Sequence, residues 1–333
     1  MWDETEFNKN PNLKYKLDIT KTNSSEAINN NFEVYVSIKD NKEYLISPNA
    51  YNYNLDIFTL FDNKLLLSLK GHINKIRTIR YFNNKIEDYL LSTDEDELIV
   101  WEMTNNYNIK HRIKNSGNVF SCLLFFNNND HYIISSANST SHDYYKSGTK
   151  IYSFNNGKYI RYIKNSNYYH IKYLLPWLNR NNNKYYIVQF ASNAIVINDL
   201  LEDELYSELI NDDEGSHFSG CIISKDNKEY LCSSSWNGYI NIWDLYDKKI
   251  FKTILINNCY LTSLIKWNNK YLIVADYGNK SIKIINIEEY KLICDIKGQY
   301  YDNLLFIKKI NHPIYGESLL SSSKDNIIKL WTI

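Results

Sequence analysis

The chain has 333 residues, 44% hydrophobic and 23% charged, which is enough apolar material for a large globular core. Its 38 basic and 38 acidic residues cancel, so no net field favours nucleic acid or an anionic membrane as partner. Ten glycines and four prolines exclude collagen-like and linker-type chains.

The sequence also carries no targeting or redox signature. Met1-Trp2-Asp3-Glu4 lacks the basic and apolar regions of a signal peptide, and no apolar run reaches the roughly 18 residues of a membrane span. The five cysteines form no C-x-x-C pair, which favours buried free thiols in a reducing compartment. We therefore expect a cytoplasmic protein, with the nucleus left open, that needs no cofactor.

The first predicted element is an alternating strand at residues 13–19. After it, a pattern of Tyr, two aliphatic residues and usually Ser recurs seven times. The copies begin at Tyr44, Tyr89, Tyr132, Tyr186, Tyr230, Tyr271 and Ser318. They lie 41 to 54 residues apart, about 46 on average, close to the ~40–45 residues of a propeller blade.

Each period divides into four short apolar runs separated by Asn, Asp, Lys or Ser. In the fifth period the runs predict strands a to d at residues 217–224, 229–234, 239–244 and 249–256. This pattern predicts an all-β fold, a single seven-bladed β-propeller with four antiparallel strands per blade. The predicted blades span about residues 32–70, 73–114, 117–164, 168–211, 216–257, 259–297 and 303–333.

The last period stops after its third strand, at Trp331. The strand at residues 13–19 belongs to no other period. We therefore predict that it supplies the fourth strand of the last blade, which removes an open sheet edge.

These repeats resemble the WD40 repeat family over essentially the whole chain. The residues that carry the resemblance are Gly71, His72, Trp101, Trp243, Asp244, Asp325 and Trp331. In that family a His, an Asp, a Ser or Thr and the Trp form hydrogen bonds within each blade. Here the set is degraded: Glu95 stands at the expected Asp position of blade two, Asn237 at that of blade five, and Gly298-Gln299 replace Gly-His in blade seven.

The resemblance implies a non-catalytic interaction scaffold that binds a peptide or protein on the face formed by the d-to-a and b-to-c loops. Such a protein is expected to be a monomer or a subunit of a larger complex. A propeller enzyme is the alternative, and it would need at least two acids, or an acid and a His, in the central channel. A ubiquitin-ligase substrate receptor is disfavoured, because Trp243-Asp244 is followed by Leu245-Tyr246 rather than by the family's Trp-Asp-x-Arg pattern.

One candidate binding element is the long b-to-c loop of blade three, residues 136–148. His142, Tyr144 and Tyr145 offer aromatic and polar contacts there. The alternative is a tolerated insertion, because lengthening a surface loop costs little closure entropy.

Aromatic residues at the same rim are further candidates, since exposed aromatics are preferred interface anchors. They are Tyr51, Tyr53, Trp236, Tyr277, Tyr300 and Tyr301. Trp236 is the strongest, because a tryptophan in the short turn Trp236-Asn237-Gly238 has little core to enter. With 30 tyrosines in the chain, chance placement is the alternative for the others.

The acidic run at residues 94–97 could attract a basic segment through Asp94 and Asp96. The alternative is a solvated turn in which one acid serves the hydrogen-bond network of the blade. The seven histidines are scattered without zinc-ligand spacing, so no metal site is predicted.

Overall fold

The structure is a computed structural model. It describes residues 14–21 (backbone), 32–49, 51–104, 106–114, 119–126, 131–137, 147–164, 170–202, 204–210, 215–297, 300–325 and 327–332. These residues contain 28 strands and no helix, and the strands form seven four-stranded antiparallel sheets. The chain is therefore a seven-bladed β-propeller, as the sequence predicted.

The closing strand is the first element of the chain. Strand β1 (Lys14–Lys21) pairs antiparallel with the last strand, β28 (Ile327–Thr332), from Lys14 opposite Thr332 to Lys21 opposite Ile327. The predicted role of the N-terminal strand is confirmed, and the strand itself lies one to two residues later than residues 13–19. Its pairing covers the edge that β28 would otherwise expose.

The chain divides into two compact units, of which one comprises residues 31–208 and the other residues 1–30 with 209–333. The 31–208 unit holds the first four blades. The last strand of blade four ends two residues beyond residue 208. Blade one is β2 (Glu33–Val36), β3 (Glu43–Pro48), β4 (Leu55–Thr59) and β5 (Leu65–Leu69). Blade two is β6 (Thr78–Asn83), β7 (Asp88–Thr93), β8 (Glu97–Glu102) and β9 (Asn108–Lys114). Blade three is β10 (Cys122–Phe126), β11 (His131–Ala137), β12 (Gly148–Ser153) and β13 (Tyr159–Lys164). Blade four is β14 (Tyr173–Asn179), β15 (Lys184–Phe190), β16 (Ala194–Asp199) and β17 (Leu205–Ile210).

The 209–333 unit holds the last three blades. Blade five is β18 (His217–Lys225), β19 (Lys228–Ser235), β20 (Tyr239–Asp244) and β21 (Lys249–Leu255), which confirms the strands predicted in that period. Blade six is β22 (Leu261–Lys266), β23 (Tyr271–Asp276), β24 (Ser281–Asn286) and β25 (Lys291–Ile296). Blade seven is β26 (Leu304–His312), β27 (Gly316–Ser323), β28 and β1.

The repeated Tyr-aliphatic-aliphatic-Ser pattern forms the second strand of the blades and is buried on both faces. Every residue of β7 and of β23 is buried. Such continuous burial requires cover on each side, which the adjacent blades supply. In the 31–208 unit, for example, Ile46 and Ile57 of blade one pack in one cluster with Ile79 and Leu90 of blade two.

The register of the repeats is the same wherever a blade carries the family-like tryptophan. Trp101 lies opposite Leu90, Trp243 opposite Leu231, and Trp331 opposite Leu319. The second residue of each pattern therefore faces the tryptophan of the third strand. This common register positions the polar networks and the turns described below.

Asparagine replaces glycine in many of the turns. Among the described residues, twelve non-glycine residues have positive φ, and five of them are asparagines, namely Asn41, Asn63, Asn106, Asn183 and Asn227. Asn tolerates this conformation because its short amide bonds to the local backbone. Glycine remains where a side chain cannot fit: at Gly238, with φ of 80°, an added Cβ would overlap the carbonyl oxygen of Asn257.

Candidate partner-binding surface

Blade two contains a complete buried polar network. His72 Nδ1 lies 2.8 Å from Asp94 Oδ2, and His72 Nε2 lies 2.6 Å from Ser92 Oγ. Trp101 Nε1 donates to the same Ser92 Oγ at 2.8 Å. With Asp94 ionised, Nδ1–H donates to the carboxylate and Nε2 accepts from the Ser92 hydroxyl. The chain of donors then runs from Trp101 to Asp94 without a break.

The acid of this network is Asp94 rather than the expected Glu95. Glu95 lies one residue further into the turn, is exposed, and pairs with Arg77. Asp94 is fully buried and also accepts the backbone N–H groups of Asp96 and Glu97. Burial raises the pKa of Asp94, but the hydrogen bonds from His72 and the turn outweigh it and hold the pKa below its usual value. The expectation that Asp94 contacts a partner is therefore wrong, because its carboxylate is buried and accepts hydrogen bonds inside the blade.

The other acids of the run also have partners within the unit. Glu97 pairs with Arg112, and Asp96, which is exposed, accepts from the side-chain amide of Asn74 at 2.8 Å. The alternative interpretation of this run, a turn with one acid serving the network, thus agrees with the geometry.

Blade seven keeps part of the network and replaces its histidine. Trp331 Nε1 donates to Ser321 Oγ at 2.7 Å, and the Tyr300 hydroxyl lies 2.6 Å from the same oxygen. Tyr300 is only 8% exposed, so the expectation that it is a rim anchor is wrong: its ring packs against Trp331 and its hydroxyl is used inside the blade. Asp325 bonds locally, to the Ser323 hydroxyl and the Ile327 N–H. Gly298 and Gln299 lie outside the described residues.

Blade five keeps the Ser, Trp and His but has no acid at the matching position. Trp243 Nε1 donates to Ser233 Oγ at 2.9 Å, and the ring of His217 lies 6.1 Å from that of Trp243. Ser235, not Asn237, occupies the place that Asp94 has in blade two, and it bonds to the backbone of Tyr239. Within the described residues neither ring nitrogen of His217 has a hydrogen-bond partner, and burial lowers its pKa to about 4.

One group of three side chains among the described residues has a geometry compatible with a metal: His72, Asp94 and Glu97. Both nitrogens of His72 already take part in hydrogen bonds, and Glu97 pairs with Arg112. The group therefore serves the blade rather than offering free ligand atoms.

The 209–333 unit carries a continuous aromatic stripe, formed by Phe218, Trp236, Tyr260 and Tyr277. Ring centroids are 5.7 Å apart for Phe218 and Trp236, 4.1 Å for Trp236 and Tyr260, and 5.8 Å for Tyr260 and Tyr277. Trp236 is 45% exposed and Tyr260 37%. The stripe joins blade five to blade six and leaves its central rings open to solvent.

Equivalent turns position the stripe. Trp236, Tyr277 and Lys324 each follow the second strand of their blade at the same position. In each case the backbone N–H donates to the carbonyl of the residue just before the first strand, which is Ser216, Tyr260 or Asn303. The b-to-c turn and the d-to-a connection are thereby fixed side by side at one end of each blade.

The stripe ends at two lysines, Lys280 and Lys324, which we call the cationic end. Lys324 Nζ lies 5.1 Å from the centroid of the Tyr277 ring, and Lys280 Nζ donates to the carbonyl of Tyr301 at 2.8 Å. A hydrogen bond from Lys324 lowers the pKa of Tyr277 despite the opposing effect of burial. Within the described part of the chain, neither ammonium forms an ion pair with a carboxylate. Tyr301 is 86% exposed beside them.

The sequence analysis named Trp236 and Tyr277 of the stripe and Tyr301 beside it, but not Phe218, Tyr260 or the two lysines. The signal for Tyr260 was its place one residue before the first strand of blade six, where a d-to-a connection meets a b-to-c turn. Tyr51 and Tyr53 are exposed in the turn after β3, in the other unit. His142, Tyr144 and Tyr145 lie outside the described residues.

No protein-family model and no curated protein matches this sequence. The described residues form no helix of the length and hydropathy needed to cross a lipid bilayer.

Proposed function

We propose that this protein is a non-catalytic interaction scaffold, a degenerate member of the WD40 repeat family, and that the aromatic stripe is its main partner-binding surface. The fold is compatible with this role, but β-propellers host many functions, so the surface must carry the argument. The polar network of blade two supports the family proposal, because its His, Asp, Ser and Trp follow the family pattern.

The observation that carries the proposal is the exposure of Trp236 in contact with Tyr260. A large ring held by its neighbours loses little side-chain entropy on binding, and its exposed face gains from desolvation. Stable interfaces concentrate their binding energy on such residues, near the middle of a contact patch. The stripe offers a row of aromatic rings across two consecutive blades, five and six.

The test compares Trp236→Ala with Phe251→Ala. Phe251, on β21 of the same blade, is 48% exposed against 45% for Trp236, so it controls for the loss of an exposed ring. Proteins captured by the full chain are identified by mass spectrometry, and the strongest is purified and its Kd measured by calorimetry. We expect Trp236→Ala to weaken binding by about 30-fold or more, and Phe251→Ala to leave it within about 2-fold.

Unchanged affinity of the purified partner for Trp236→Ala, with the fold intact by thermal melting, would overturn the assignment to the stripe. A third variant lacking residues 138–147 tests the blade-three insertion in the same assay. Binding lost only in that variant would move the site to the 31–208 unit.

A further inference from the structure

Two lysine ammonium groups lie at one end of the aromatic stripe, where Asp302 also acts on Tyr277, and these ammonium groups indicate the kind of partner. The two ammonium groups of the cationic end lie at one end of the stripe without a carboxylate partner among the described residues. Lys280 donates to a neutral carbonyl, and Lys324 lies near the Tyr277 ring and donates a hydrogen bond to that residue, so neither contact neutralises an ammonium group. A bound carboxylate would complete charge-assisted hydrogen bonds that the chain itself leaves unmade.

The middle of the stripe is apolar rather than charged. Trp236 and Tyr260 present exposed ring surface, and Phe218 packs behind Trp236 with an interplanar angle of 26°. An aliphatic or aromatic side chain fits such a surface, because it gains by desolvation and brings no unpaired polar group. A cationic side chain could also stack on the rings, but the two lysines would repel it.

The dimensions fix the spacing between these two features. The ring centroids place Trp236 and Tyr277 at most about 10 Å apart, and Lys324 Nζ lies a further 5.1 Å from the Tyr277 ring. An extended chain covers about 3.3 Å per residue, so the whole distance corresponds to at most about five residues. One short segment can therefore reach both the rings and the lysines.

We propose that the stripe binds a short extended segment of a partner protein in which an aliphatic or aromatic side chain is followed or preceded, within about five residues, by an aspartate or glutamate. The apolar side chain rests on Trp236 and Tyr260, and the carboxylate reaches Lys324 and Lys280. This inference rests on the proposed function, since it names the kind of partner for the same surface.

The test selects random 12-residue peptides, displayed on phage, against the full chain and against three variants. The first variant is Trp236→Ala, the second combines Lys280→Glu with Lys324→Glu, and the third is the control Lys249→Glu. Lys249 is an exposed lysine at the start of β21, outside the stripe. Lys324→Gln serves as a milder substitution in case the double charge reversal affects folding.

We expect the wild type and Lys249→Glu to enrich peptides with an acidic residue within about five positions of an apolar one. The best peptide, synthesised and measured by fluorescence anisotropy, should bind the double charge-reversal variant at least 10-fold more weakly. It should bind Lys324→Gln more weakly by a smaller factor. Replacing its acidic residue by Lys should restore binding to the double variant and abolish it for the wild type. Affinity for the wild type should fall as salt rises, because the carboxylate contacts are screened.

The failures of the two proposals are distinguishable. Peptides that need Trp236 but show no acidic preference, or that are basic, would overturn the partner class and leave the stripe as a binding surface. Peptides that bind Trp236→Ala as well as wild type would overturn the proposed function of the stripe. Failure to enrich any peptide on the wild type would count against both.

Discussion

At the scale of single residues, buried serines of the second strands accept the hydrogen bond from the tryptophan Nε1 of the same blade. Ser92 Oγ connects two groups, His72 and Trp101, whereas Ser233 Oγ bonds to Trp243 with His217 lying nearby but unbonded. A buried polar atom that loses its hydrogen-bond partner destabilises the fold by about 1–3 kcal/mol, which is more than an ordinary hydrogen bond contributes. The same substitution should therefore have different effects in the two blades.

We predict that Ser92→Ala lowers the free energy of unfolding by about 2–4 kcal/mol, because it leaves two buried groups without their partner. Ser233→Ala, the matched change in blade five, should cost only about 1–2 kcal/mol. Urea denaturation followed by tryptophan fluorescence measures both values. Equal losses in the two variants would contradict the network described for blade two.

His217 should make stability depend on pH. Its pKa is about 4 in the folded protein because burial disfavours the charged imidazole, against about 6.5 in the unfolded chain. As pH falls below 6.5 the unfolded chain takes up the proton first. The stabilisation is therefore complete above pH 6.5 and is lost progressively as pH falls toward 4.

Between pH 7 and pH 5 we expect the wild type to lose about 2 kcal/mol more stability than His217→Leu, which cannot titrate there. Denaturant midpoints at the two pH values give the difference. Parallel pH profiles for the two proteins would rule out a buried neutral histidine at this position.

At the scale of elements, β1 couples the beginning of the chain to its last strand. The six register pairs with β28 include two shifts, between Tyr15 and Leu17 and between Asp18 and Thr20. Irregular pairing of this kind twists a strand locally without ending the sheet. The pairing removes an edge that would otherwise be open to another chain.

Deletion of residues 1–21 should therefore lower the melting temperature by about 10 °C or more and promote aggregation. Deletion of residues 1–12, which keeps β1, is the control and should melt like the full chain. Calorimetry measures the transitions, and size-exclusion chromatography detects the aggregates. If the chain without β1 melted at the same temperature as the full chain, the pairing of β1 with β28 would contribute little to stability.

The repeated turn after the second strand explains how the stripe forms. In three successive blades the residue after the second strand is Trp236, Tyr277 or Lys324, and each is anchored by the same backbone hydrogen bond. The repeat thus places one side chain per blade at the same end of the blade. Aromatic residues at two of these positions, with Tyr260 between them, produce a continuous surface.

At the scale of the whole molecule, burial distinguishes two of the five cysteines from the other three. Cys122 and Cys232 are buried, whereas Cys221, Cys259 and Cys294 are partly exposed. Burial raises the pKa of Cys122 to about 12, which removes the reactive thiolate at neutral pH. The buried thiols should react only when the surrounding structure opens.

We expect iodoacetamide at pH 8 to modify Cys259 in the folded protein while Cys122 and Cys232 stay protected, and urea to expose all of them. Peptide mass spectrometry quantifies each site. Rapid labelling of Cys122 without urea would contradict its burial within blade three.

The sequence alone determined the architecture. The Tyr-aliphatic-aliphatic-Ser pattern, its period of about 46 residues and the unfinished last repeat predicted seven blades and the closing strand. Local alternation and turn chemistry encode strands directly, and repetition makes the signal strong. For the same reason Trp236 could be predicted to be exposed, since a three-residue turn has no interior.

Only the tertiary structure decided which side chains form hydrogen bonds inside a blade and which stay exposed to solvent. Asp94 rather than Glu95 completes the network of blade two, and Tyr300 enters the core while its neighbour Tyr301 stays exposed. Tyr260 joins the stripe because residues 236 and 260, 24 positions apart in the chain, meet across two blades. Exposure and polar pairing depend on contacts between strands and blades, and those contacts are absent from any local pattern of the sequence.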